Sequence, residues 1–382
     1  MVLRVQTECH EAGPPPGGNL GFSTEPTTER RPPHHVARWN GPQRTRLDVC
    51  VMNESGTILE EAPWPPDADG LAHLARAVLG HGDDEVLAVS ESMNGARFVH
   101  DTLELHGWSV EVADAQKVKG LAPLACKEDR IDARVLAELS RRDLVPAIWL
   151  PTPEVRGARE LARWRLHLVR HRTALKNRIH ATLLAFGHPC PVSDLFGTAG
   201  RELLARLSLP EPWTSDVAGA LLLIDTLDGQ IDGVEAELRR SGADHPYVPL
   251  LMTAPGLGWV LAYTVAAELG EIERFSSPKK LVGYSGLCPK VYQSGGKDHR
   301  GSLSKNGPKY LRWALIEAAT HAGRHPAYRD HYQRTAARLG RQRGKKVARV
   351  EVARKLADAI WHMLTKGEPF APHIEPAKKM AA

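Results

Sequence analysis

The sequence predicts an α/β chain whose second half is mainly helical. Three features carry that prediction. Short β-type runs alternate with helical stretches between Leu47 and Leu150, one helical pattern runs uninterrupted from Glu154 to Gly187, and amphipathic helices are expected at Tyr310–Gly323 and Val347–Leu364, with a basic, loosely built stretch at Arg334–Gly344 between them. At 382 residues there is chain enough for two or three domains with cores of their own.

Residues 1–35 carry a Gly-Pro cluster, many Thr, Glu and Arg, and little hydrophobic periodicity, so they read as a disordered extension. From Leu47 to Met52 and again from Thr57 to Glu60 the pattern is that of two strands, with Asn53-Glu54-Ser55-Gly56 as the turn of a hairpin. A helix over Ala68–Leu79, a strand over Glu85–Ser90, a helix over Ala96–His106, a strand over Ser109–Ala113, a helix over Arg130–Ser140 and a strand over Pro146–Leu150 complete a layered α/β unit. In the long helix Leu161, Leu168 and Leu175 recur every seven residues. Such spacing permits a coiled-coil seam, and a second helix near Asp216–Arg240 is positioned to fold back as its antiparallel partner. The layout expected is an extension over 1–35, an α/β domain over 36–153, a helical linker over 154–245, a mainly α domain over 246–370 and a tail over 371–382.

A net charge of +5 is mild, and its distribution says more than its sum. Cations gather in Arg156–Arg178 and in Arg334–Lys355, as expected of two helices that meet a polyanion; a solvated helix face explains either run taken alone. The five cysteines form no Cys-x-x-Cys pair, which argues against a structural zinc site or a disulfide framework and for a reduced, cytoplasmic setting. No apolar run approaches the roughly 20 residues of a membrane span, so no membrane partner is expected.

The stretch Pro255–Arg312 concentrates the residues suited to phosphate chemistry. Gly256-Leu257-Gly258 precedes an apolar helix, where small residues let backbone N–H groups approach a phosphate, although Gly-x-Gly also simply makes a tight turn. Further on, Gln293-Ser294-Gly295-Gly296 opens a Gly-rich loop with Lys297, Arg300, Lys305 and Arg312, and the flanking glycines let Ser294 come close to a bound backbone. The acids sit elsewhere. Glu91 closes a strand, and Asp129 and Asp132 share one face of a helix start, with Asp132 in line with Leu136 and Leu139. A carboxylate on that border is costly unless paired or metal-bound, and clustered carboxylates suit Mg²⁺, though helix starts also attract Asp for dipole reasons.

Gly-x-Gly at Gly256, Tyr284-Ser285-Gly286-Leu287-Cys288-Pro289, Gln293-Ser294-Gly295, Ser304-Lys305-Asn306-Gly307 and Leu311-Arg312 stand in one order, and in that order the chain resembles the insertion sequence one-ten family. These are the DEDD transposases, also described as bridge-RNA-guided recombinases; the resemblance runs from about Leu47 to Phe370. It implies an RNase H/RuvC-like N-terminal domain, a coiled-coil linker that forms dimer contacts and touches RNA, and a C-terminal transposase domain with a helix-hairpin-helix-like segment. Of the family's four acids, Glu91, Asp129 and Asp132 match the last three, and Lys127 matches a lysine that precedes the pair. The first Asp is expected near Trp39–Pro42, where the nearest counterpart is Asn40, a degenerate metal position, because Asp48 falls in the wrong register. Three explanations fit: decay of the element, a misread or frameshifted start, or replacement by another carboxylate.

The resemblance also implies a mechanism. Ser294 attacks a phosphodiester to give a phosphoserine link to DNA, with Mg²⁺ on the acids. The loop cations neutralise charge, while Arg163, Arg170, Arg172 and Lys176 contact nucleic acid. Ser302 and Ser304 are the competing serines. Implied partners are donor and target DNA, a structured non-coding guide RNA and further copies of the chain as a dimer or tetramer. Two alternatives are a Mg²⁺-dependent RuvC-like junction nuclease using water, and a catalytically impaired nucleic-acid-binding remnant.

Overall fold

The computed structural model describes residues 2–5, 46–80, 86–121, 129–294 and 297–371, with the backbone alone at 2–5, 129–130, 294, 297–300 and 341. The chain divides into two compact units, Met1–Leu150 and Pro151–Ala382.

In the first unit a five-stranded sheet has the order β3-β2-β1-β4-β5, with β1 at Val2–Val5, β2 at Leu47–Asn53, β3 at Ile58–Trp64, β4 at Val86–Glu91 and β5 at Ser109–Ala113. The alternation of strand side chains divides β2 between two cores. Leu47, Val49 and Val51 join Val86 and Ala88 against Leu71, Leu74 and Val78 of α1 (Ala68–Leu79) and Val99 and Leu103 of α2 (Ala96–Leu105). Cys50 and Met52 join Val89 on the other face, under Ala133, Leu136 and Ala137 of α4 (Asp129–Arg141). A strand covered on both faces is nearly apolar throughout, which is why β2 has no solvent-facing side. The β2–β3 turn closes as its sequence predicts: Asn53 Oδ1 accepts from Thr57 N at 2.8 Å, and Gly56 takes φ +86°.

Three features depart from the expected elements. Val2–Val5 forms a strand inside the stretch expected to be without regular structure, pairing parallel to β2 and antiparallel to β4. The stretch 146–150 makes only an isolated bridge, Ala113 to Ala147, because Pro146 has no N–H to give a ladder. A short helix, α3 (Ala115–Leu121), follows β5 where no element was foreseen.

The second unit begins with α5 (Pro153–Ala185), which Thr152 caps, followed by α6 (Thr198–Arg206) and α7 (Trp213–Ala243). α5 and α7 pack antiparallel: Arg165 pairs with Glu235, Arg172 with Asp228 and Arg178 with Asp216, the first two pairs lying seven residues apart on each helix. Ile179 and Leu183 of α5 meet Val217, Ala220 and Ile224 of α7 in a core of their own. The main core gathers around α9 (Trp259–Leu269), buried on every side from Ala262 to Leu269. Against it lie α8 (Val248–Met252), α10 (Pro278–Tyr284), α11 (Lys309–Ala322), α12 (Pro326–Arg338) and the second half of α13 (Gly340–Lys366). Between α10 and α11 the expected Gly-rich loop is an antiparallel hairpin, β6 (Pro289–Ser294) and β7 (Lys297–Leu303).

Candidate active site and nucleic-acid interface

Glu91 ends β4, half-buried, and Asp132 stands half-buried in the first turn of α4, the helix laid across β2, β1 and β4. The seat of α4 is firm. Below it lie Cys50, Met52 and Val89, and Arg134 reaches out to hold both carboxylate oxygens of Glu61 on β3, one at 2.6 Å. Burial, with the Glu61 charge beside it, pushes the Cys50 thiol up to about 11, so this sulfur is protonated and serves packing, not nucleophilic chemistry. At the far end of α4 the Arg141 fork, helped by Arg142, holds Glu138 down at about 2.

Asp129 opens α4, three residues before Asp132. Asn40 lies outside the described residues, and β1, the strand between β2 and β4, reads Val-Leu-Arg-Val with no carboxylate. The donor type of Glu91 and Asp132, carboxylate oxygen on half-buried residues, fits a hard divalent cation. Sequence reasoning missed a different cluster: among the described residues, His100, Asp101 and Glu104 of α2 form the one group of three side chains that could hold a metal ion. Its ring nitrogens face Asp101 Oδ1 at 3.0 Å and Glu104 Oε1 at 3.3 Å, and the i, i+4 spacing of His and Glu was the signal available.

Ser294 closes β6 in register with Lys297, on either side of residues 295–296. The hairpin stands clear of the core, with Val291 55% and Tyr292 63% exposed. Its base is clasped by the Ser-Lys-Asn-Gly segment: Ser304 N donates to Cys288 O at 2.8 Å and Lys305 N to Gly286 O at 3.2 Å. That clasp explains two motif glycines. A Cβ on Gly286 would run into Asn306 O and a Cβ on Gly307 into Tyr284 O, and both residues take positive φ. Arg312 belongs to the same brace, its Nη1 donating to Ser285 O at 3.2 Å and to Asn306 O at 3.4 Å. Lys305 remains exposed at φ +56°.

The two glycines before α9 divide their roles. Gly256, at φ +84°, lets the chain lie on α11, where a Cβ would meet Ala318 O. Gly258 is exposed with open space around it, at the N-cap of α9, which no side chain caps.

The α5 cations have partners within the protein. Arg163 forks onto Glu268 at 2.7 and 3.0 Å, a carboxylate with no exposed surface, and lies 4.9 Å from the Tyr310 ring. Neighbouring Arg159 donates to Ala267 O at 2.8 Å and Glu268 O at 2.7 Å, closing the C-terminus of α9. Arg172 pairs with Asp228, Lys176 lies 4.6 Å from the Phe196 ring, and Arg170 lies 5.9 Å from Tyr310. Much of this basic run is therefore engaged within the protein, by acids of α7 and α9 and by the rings of Tyr310 on α11 and Phe196 ahead of α6.

Residues 44–188 match the IS110-type DEDD transposase family, and residues 248–333 match the transposase IS116/IS110/IS902 family. The transposase for insertion sequence element IS1328 of Yersinia enterocolitica is 28% identical over 75% of this chain and 85% of its own length. For the transposase of insertion sequence element IS1111A of Coxiella burnetii the identity is 29%, over 74% of this chain and 78% of that one. A pilin gene-inverting protein of Moraxella bovis is 32% identical over 33% of this chain and 39% of its own. No helix among the described residues is long and apolar enough to cross a membrane.

Proposed function

Because this chain belongs to the IS110 family of transposases, enzymes of DNA recombination, we propose that it cuts and rejoins DNA through a phosphoserine intermediate on Ser294, guided by a structured non-coding RNA. The observation that carries this reading is the place of Ser294 at the end of an exposed hairpin strand, opposite Lys297. On this reading the first unit is RuvC-like, α5 and α7 form the coiled-coil linker over 154–245, and the rest to 370 is the transposase domain with a helix-hairpin-helix-like segment at α8–α9. The enzyme works as a homo-oligomer, dimer or tetramer, in the cytoplasm.

Ser294 Oγ forms the new P–O bond as the bond from phosphorus to the leaving DNA oxygen breaks, and the hydroxyl proton passes to solvent or a carboxylate. One phosphodiester is exchanged for another, so reversal by a second strand end rejoins DNA without ATP. Lys297, Arg300 and Lys305 meet the charge on the phosphoryl oxygens, and Gly258 opens the α9 N-terminus to a backbone phosphate. Glu91, Asp129 and Asp132 would hold Mg²⁺, which supplies Lewis-acid polarisation of the phosphate when bound.

A second reading is favoured by the missing acid: with Asn40 at the degenerate position and β1 lacking a carboxylate, the chain is a DNA-binding remnant with impaired cleavage. Incubation with Mg²⁺, the guide RNA and labelled donor and target DNA, resolved on a denaturing gel, separates the readings. An adduct lost in Ser294→Ala supports the serine recombinase. Free cleavage products without adduct point to a junction nuclease using water, and binding without cleavage, restored by Asn40→Asp, supports the remnant.

A further inference from the structure

The segment Arg324–Lys355 holds eleven Lys and Arg residues against two acids, a net +9 within a chain of net +5. In the fold it is an antiparallel helical hairpin. Gly344 of α13 lies against Ala336 of α12 so closely that a Cβ would strike Ala336 O, and further down Tyr328 and Asp358 border one open cavity. The turn between the helices is Leu339 with Gly340 at φ +74°. In the main core the fully buried α13 side chains begin at Val352, so the twelve residues back to Gly340 carry the tip roughly 18 Å beyond it at 1.5 Å per residue.

On this tip Arg334, Arg338, Arg343, Lys345 and Lys346 are exposed, and no carboxylate among the described residues pairs with any of them. The contrast with α5 is direct, since Arg163, Arg165, Arg172 and Arg178 each have an acid. Arg349 on the same helix leaves its buried Nε without a hydrogen-bond partner. Like charges at i, i+4, such as Arg334 with Arg338 and Lys345 with Arg349, cost the helices a few tenths of a kcal/mol each. The field is felt by His331, whose imidazolium is disfavoured first by burial and then by Lys355, Arg334 and Arg338.

We infer that the α12–α13 tip is a clamp for the sugar-phosphate backbone of duplex DNA, separate from the serine hairpin and sequence-neutral. Charge complementarity selects a polyanion. From Gln333 to Lys355 there is no aromatic residue on which an unpaired base could stack, so the contact suits a paired duplex over a single strand. The inference rests on the family's action on DNA and not on the chemistry of Ser294.

The test uses the full chain and a labelled duplex of arbitrary sequence without guide RNA, with binding measured across a salt series. Each phosphate contact contributes about 0.9 to the slope of log affinity against log salt, so Arg343→Gln/Lys345→Gln/Lys346→Gln should lower the slope by about 2.7. Between about 50 and 200 mM salt the wild type should then lose about 40-fold more affinity than the triple variant. Arg201→Gln/Arg206→Gln on α6, where the arginines pair with Asp225 and Glu202, should keep the wild-type slope, and single Lys345→Gln gives a step of about 0.9 should the triple variant misfold. Absence of duplex binding by the wild type, an unchanged slope in the triple variant, or the same slope loss for double-stranded RNA bound more tightly than DNA would each overturn the assignment.

Discussion

Replacing Arg163 by Met separates a structural arginine from a nucleic-acid contact. The Glu268 carboxylate has no exposed surface, and Arg163 supplies its two close charge-assisted bonds, at 2.7 and 3.0 Å. Removing one partner of a buried pair costs about 3–5 kcal/mol, most of it the desolvation of the charge left behind. Here the lower end applies, because the Arg163 side chain is 34% exposed and the Arg159 guanidinium stays within 3.9 Å of the orphaned carboxylate. A loss of about 3 kcal/mol lowers the melting temperature of a unit of this size by about 6–12 °C. In the double variant Arg163→Met/Glu268→Met no buried charge is stranded, and stability should return to within about 1 kcal/mol of wild type. Thermal melts and urea titrations of the full chain measure both. The reasoning is refuted if Arg163→Met melts within about 2 °C of wild type while nucleic-acid binding falls, for the arginine would then face the ligand and not Glu268.

Other consequences are as concrete. Gly307→Ala, at φ +80° against Tyr284 O, should cost more than about 1 kcal/mol and loosen the base of the serine hairpin, read as a lower melting point and as protease cleavage near Lys305. His331 and His245 both have pKa values lowered by burial, His331 further by Lys355, Arg334 and Arg338 against the single opposing charge of Glu351. The unfolded chain therefore takes up their protons first as pH falls through about 6.5, and stability should drop with acidification over that window; His331→Gln should flatten the drop. In mildly alkaline buffer a thiol reagent should label exposed Cys190 at once and Cys50, buried with its pKa near 11, only on unfolding; prompt labelling of Cys50 would mean that α4 does not seal the sheet.

The sequence by itself determined what depends on neighbours along the chain. The short apolar run Leu47–Met52, the turn at Asn53–Gly56 and the seven-residue spacing of Leu161, Leu168 and Leu175 are each local patterns, and the elements formed where those patterns stood. The order of its glycine and serine motifs was equally readable, and the match to the transposase family follows that order. Tertiary structure decided what the charged side chains are for. A cation reads alike in sequence whether it meets a phosphate or a carboxylate folded up from a hundred residues away, as Glu268 does to Arg163. Arg312 offers the same ambiguity, and its Nη1 meets two carbonyls that only the clasped loop brings together. Conversely, the sequence reads Arg156–Arg178 and Arg334–Lys355 alike as basic runs, and only the fold tells them apart, pairing the first with acids and leaving the exposed tip of the second without them, because Coulomb pairing depends on distance in space and the sequence records only distance along the chain.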